Sequence, residues 1–107
     1  MPKPKGLMAR YRRWRAWRSE SAPHRKELTK VTFDLRQTDI GIDRKQERHS
    51  RFEDKALSGD ESSDHWQGRA DELEMEINGD LERSESLERR RDELREKLER
   101  IRKKHYG

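Results

Sequence analysis

Residues 10 to 18 read RYRRWRAWR, a nonapeptide with five arginines, three aromatic rings and no acid. Arginine forks bind phosphate oxygens bidentately, and the flat guanidinium also stacks on bases. Tyrosine and tryptophan faces accept unpaired bases at roughly 1–3 kcal/mol per stacked base. Arg10, Arg12, Arg13, Arg15 and Arg18 are therefore the candidate phosphate contacts, and Tyr11, Trp14 and Trp17 the candidate stacking groups. The spacing of Leu7, Met8, Tyr11, Trp14 and Trp17 gathers the apolar groups on one face of a helix, with arginines around it. Such a short helix is marginal alone in water, and arginine-rich segments that order on binding are a known route to RNA. The expected partner is nucleic acid, with RNA or single strands ahead of duplex DNA.

Three other uses of such a stretch compete. A basic amphipathic helix with tryptophans suits an anionic membrane surface. A basic run also serves as a nuclear address, and a charged tail can merely solubilise; the aromatic rings weigh against that last use. The layout resembles that of arginine-rich RNA-binding peptides, and of small viral and phage regulatory proteins that join a basic arm to a charged helix; no residue-level signature accompanies the likeness. A basic region ahead of leucine heptads is also the layout of basic-zipper factors, whose basic helix continues unbroken into the zipper. Here SES at 19–21 and Pro23 interrupt, and Lys45 and His49 stand at seam positions.

The elements that must position these groups are constrained by composition. Of the 107 residues, 27% are hydrophobic and 47% charged, against roughly 45–50% apolar and about 25% charged in ordinary domains. A compact core does not suit such a chain, which leaves disorder or long helices that bury only a narrow seam. The expected fold is mainly α, an elongated helical or coiled-coil protein with a flexible basic N-terminal arm. No cysteine is present, which fits a reducing compartment, and no apolar run has the length of a membrane span. The expectation is a soluble intracellular protein, cytoplasmic or associated with nucleus or nucleoid. Charge is arranged in blocks: residues 1–30 are net +8, residues 34–88 net −9 and residues 89–107 net +5.

Four stretches follow. MPKPKG reads as a flexible start to a basic, aromatic arm over 1–22, which SESAP should end because proline does not suit a helix interior. Residues 23–58 are charged and read as helical, with Leu28, Leu35, Ile42, His49 and Ala56 at one heptad position and Val31, Thr38, Lys45 and Phe52 at the other. A short β-ribbon over 30–42 is the alternative, since KVTFDLR alternates Val31, Phe33 and Leu35, as in ribbon-helix-helix DNA readers. Residues 59–65 read as a loop, with Ser63 or Asp64 capping the next helix and Gln67 three residues after Asp64.

Over 66–105 the heptads are clearest, with Trp66, Leu73, Asp80, Leu87, Leu94 and Ile101 at one position and Ala70, Ile77, Ser84, Arg91, Leu98 and His105 at the other. The acid-to-base pairs Glu85/Arg89, Glu93/Lys97, Glu96/Arg100 and Glu99/Lys103 stand at i,i+4. NGD at 78–80 allows a hairpin turn, but the heptad phase continues across Gly79 and favours one helix with a weak point there. Leu73, Ile77, Leu87, Leu94, Leu98 and Ile101 are the candidate oligomerisation residues, joining copies of the chain or another helical protein. A parallel homodimer sets Arg90 against Arg95 and Lys97 against Arg102, so antiparallel pairing, a hairpin or an acidic partner suits the stretch better.

Catalysis is not expected. His24, His49, His65 and His105 show no ligand spacing, so no metal or cofactor is expected, and no glycine-rich phosphate loop is present. The HS at 49–50, SSDH at 62–65 and EDK at 53–55 contain catalytic residue types without a scaffold to hold them. No small-molecule substrate is expected. The reading is an accessory or regulatory nucleic-acid-binding protein; the alternative is a structural or adaptor protein that docks on a larger assembly or an anionic membrane surface.

Overall fold

The computed structural model describes residues 5–59 and 62–107. They form two helices, α1 over Lys5–Leu57 and α2 over Ser63–Tyr106, with no strand among the described residues. The mainly α fold is thus present as coiled-coil-like helix pairing. Residues 1–4 of the basic arm lie outside the described residues, so the expected flexibility of MPKPKG concerns a stretch of which only Lys5 and Gly6 are placed, both in α1.

The chain divides into two compact units, residues 1–32 with 89–107, and residues 33–88. In the second unit, α1 ends at Leu57, and Gly59 takes a φ of 76°, the left-handed conformation that closes a helix C-terminus without steric cost. The Ser58 N–H and hydroxyl both donate to the Lys55 carbonyl, at 3.3 and 2.6 Å. α2 opens when the Trp66 N–H donates to the Ser62 carbonyl at 3.1 Å. The cap therefore stands one residue ahead of Ser63, and Gln67 donates forward to Asp71 at 2.9 Å instead of back to the helix start.

The heptad positions read from the sequence all lie on the less exposed faces of the two helices. In the second unit, Ile42, Leu73 and Ile77 form a buried cluster with Phe52 packed on it. Phe52 stacks on Trp66 at 5.5 Å, and the Lys55 ammonium sits 4.1 Å from the Trp66 ring centre. The unit's polar seam residues are paired. Lys45 Nζ lies 2.7 Å from Asp80 Oδ2 and 4.0 Å from Glu76, and the Ser84 hydroxyl donates to Asp39 at 2.9 Å. In the first unit, Leu94 and Ser21 are completely buried and Val31 and Ile101 nearly so.

Three expectations are corrected. The β-ribbon over 30–42 is helix: Val31 and Leu35, four apart, are buried while Phe33 between them is 60% exposed, which fits a period of 3.6 and not of 2. The break at SESAP is absent, because α1 runs through Pro23. Proline removes the donor that would serve the Ser19 carbonyl four residues back; one residue earlier, the Arg18 carbonyl accepts from Arg25 Nη2 at 3.3 Å and from the Ser21 hydroxyl at 3.4 Å. Of the i,i+4 pairs, Glu96–Arg100 stands at 3.6 Å, whereas Glu93 and Glu99 pair at i,i+3 with Arg90 and Arg102, at 3.0 and 2.6 Å. At NGD, by contrast, the favoured expectation holds, since α2 continues through Gly79.

Replacing the completely buried Leu94 with alanine is expected to cost about 2–5 kcal/mol of unfolding free energy in urea titration; an unchanged midpoint contradicts the seam. A Cβ at the helical Gly79 meets nothing within 4 Å, so Gly79→Ala is expected to stabilise by about 1 kcal/mol; a loss of stability would mean that the helix is interrupted there.

Candidate nucleic-acid interface

The nonapeptide lies wholly within α1. At 100° per residue, Leu7, Tyr11 and Trp14 form one stripe, Arg10 and Arg13 flank it on one side and Arg12 and Arg15 on the other, with Ala9 and Ala16 behind. Tyr11 is 56% and Trp14 42% exposed, their ring centres 6.1 Å apart, and Leu7 and Met8 are exposed beside them. The Arg18 guanidinium caps the stripe, 5.1 Å from the Trp14 ring centre, as residues four apart on a helix should. Among the described residues, no carboxylate pairs with Arg10, Arg12, Arg13, Arg15 or Arg18, and all five are exposed.

Trp17 is placed differently from the other two rings. It is half-buried against α2, with Tyr106 edge-on at 6.3 Å and the Arg25 guanidinium 5.2 Å from its ring centre. Tyr11 and Trp14 thus lie free on the surface, while Trp17 stands where α2 begins to cover α1.

The acids nearest to the stretch are engaged elsewhere. Glu20 Oε1 is 3.0 Å from both Lys104 Nζ and His105 Nε2. Glu27 receives a forked pair from Arg90, Nε at 2.5 Å and Nη2 at 2.9 Å. These hydrogen bonds hold both carboxyls below the usual carboxylate range, Glu20 through His105 and then Lys104, and Glu27 through Arg90. Neither acid is available to neutralise the arginines.

The candidate oligomerisation residues face the chain's own helices: Leu73, Ile77, Leu94 and Ile101 are buried and Leu87 and Leu98 half-buried in the pairing of α1 with α2. Among the described residues no helix is long and apolar enough to cross a membrane, and no three acidic, histidine or cysteine side chains are grouped to hold a metal. His24, His49, His65 and His105 are spread along both helices. Sequence reasoning missed Arg25, Arg95 and Arg102, which the structure brings around Trp17 and Leu98. Their signal was in plain view as a row of like charges, but they come together only through antiparallel pairing of the helices. Comparison with family models, curated proteins and solved structures gave no match.

Because Glu20 and Glu27 titrate low when folded, the stability they contribute is present in full above the ordinary carboxylate pKa and is lost as pH falls through the lowered values. Both sites are partly exposed, so the effect is modest. Glu20→Gln with Glu27→Gln is expected to lower the melting temperature at neutral pH and to flatten its fall in acid. An acid limb identical to the parent's contradicts the pairing.

Proposed function

We propose that this chain is a non-enzymatic accessory protein that binds nucleic acid, RNA or single strands, through the arginine-aromatic surface of α1. The observation that carries the reading is the unneutralised set of Arg10, Arg12, Arg13, Arg15 and Arg18 around the exposed rings of Tyr11 and Trp14 on one helix. Guanidinium groups without carboxylate partners lose nothing by turning to phosphates, and two exposed rings about one turn apart offer faces for successive bases. The paired helices serve as the support that presents this surface. The acidic residues 34–88 repel polyanions and confine contact to the basic stretches.

A second reading is favoured by one observation: Leu7 is 71% exposed, with Met8 beside it, on the same helix. An anionic membrane surface accommodates such apolar groups flanked by arginines. Flotation with phosphatidylserine vesicles, in the presence and absence of competing oligouridylate, separates the two.

Seven basic residues in 3–18, counting Lys3 and Lys5, give a log–log salt slope for oligouridylate binding near −5, at about 0.7 per phosphate contact. Replacing Arg12 and Arg13 with alanine is expected to weaken binding and to reduce the slope by about 1.4. A salt-independent response overturns the phosphate model.

A further inference from the structure

The two flanks of the seam in the first unit differ in chemistry. With Ser21 and Leu28 at a and His24 and Val31 at d in α1, and Leu98 at a and Leu94 and Ile101 at d in α2, the g positions are Glu20 and Glu27 facing Arg90, Lys97 and Lys104. That flank is closed by the ion pairs Glu27–Arg90 and Glu20–Lys104. The e positions are Arg25 in α1 and Arg95 and Arg102 in α2. In an antiparallel pair e faces e, so this flank sets cations against cations, an arrangement that ordinarily opposes pairing.

The flank holds a groove of about 230 Å³, lined by Trp17, Arg25, Arg95, Leu98, Glu99 and Arg102. Its one acid, Glu99, is taken by both Arg102 nitrogens, Nε at 3.1 Å and Nη2 at 2.6 Å. Arg25 spends Nε on the Ser21 hydroxyl at 3.0 Å. Arg95 has no carboxylate partner among the described residues. The groove therefore has an apolar floor of indole and leucine, a guanidinium lying over the indole, and an unneutralised guanidinium at its edge. Its volume is below the roughly 300–1,000 Å³ of sites that enclose a drug-sized molecule, and suits a single planar group lying in an open groove.

From this we infer that the groove is a subsite for one nucleotide of a single-stranded nucleic acid, its base packed on Trp17 and Leu98 and its phosphate held by Arg95. The inference rests on the nucleic-acid reading and extends it to α2, which sequence reasoning assigned only to association. Arg25 and Arg95 both line this flank without a carboxylate partner, and a phosphodiester would offset their like charge. This explains why a chain with many glutamates leaves none at these positions. It also explains the half-buried placement of Trp17, whose ring faces a cationic groove while Tyr11 and Trp14 stand free.

The test measures binding of labelled oligouridylate and the melting temperature on full chains. Arg95→Ala is expected to weaken binding about tenfold, the lower end for a charge-assisted contact, to reduce the salt slope by about 0.7, and to leave the melting temperature equal or higher. Arg51→Ala, the same charge change at an exposed position of the other unit, is the control and should barely alter binding. With Trp14→Phe and Trp66→Phe, Trp17 is the sole indole, and its fluorescence should be quenched by the oligonucleotide. Binding lost in the Arg12 and Arg13 variant but unchanged in Arg95→Ala overturns the subsite and leaves the proposed function standing. Equal weakening by Arg51→Ala, an unquenched Trp17, or weaker binding accompanied by loss of helicity also overturns the subsite. A parent chain that binds no oligouridylate at low salt overturns both.

Discussion

The ion pair between Lys45 and Asp80, 2.7 Å apart at seam positions of the second unit, is the constraint on which helix pairing there depends. A chain this rich in charge buries only a one-stripe seam, and leucines alone do not choose between registers seven residues apart. Slipping by one heptad would set Lys45 against Leu73 or Leu87 and leave Asp80 opposite Thr38 or Phe52. Removing one partner of a well-enclosed pair costs several kcal/mol, and although this pair is only partly enclosed the same logic ranks the registers. The hydrogen bond from Ser84 to Asp39 repeats the choice one turn on. In the first unit the same work falls to Glu27–Arg90 and to the Glu20, Lys104 and His105 cluster.

Those pairings have a consequence for what remains unpaired. In the first unit, every acid that faces the other helix along the g flank is consumed by a cation, and the e flank has none to spare after Arg102 takes Glu99. The surplus is a set of arginines around rings: Arg10 to Arg18 on α1, and Arg95 at the groove beside Trp17. Under the proposed function, stability and binding would draw on opposite flanks of the first unit's seam, so that a substitution could disturb one and spare the other.

The period of the apolar residues placed both seams, clearly for Leu87, Leu94 and Ile101 and, for Leu28, Leu35 and Ile42, beside a β-ribbon alternative that the alternation over 31–35 kept open. What covers each seam was not legible. Periodicity places a face and says nothing of its partner, so the α2 stripe read as a surface for other copies when α1 of the same chain packs on it. Pro23 read as a break because local propensity was weighed alone, whereas the helix carrying it is packed on α2 through buried residues such as Ser21 and Val31. KVTFDLR alternates as a strand would, and only the neighbours Leu28 and Ile42 reveal the helical period that turns Phe33 outward. The arginine-aromatic stretch was visible from the order of residues 10–18 alone. The groove was not, since Arg25 and Arg95 lie seventy residues apart and meet only through antiparallel pairing.

Ultraviolet crosslinking of the full chain to single-stranded RNA, followed by mass-spectrometric mapping of the attached residues, tests the central claim most directly. The account places the adducts at Tyr11, Trp14 and Trp17, with loss of crosslinking as ionic strength rises. Adducts confined to residues 34–88, or none at low salt, would contradict it.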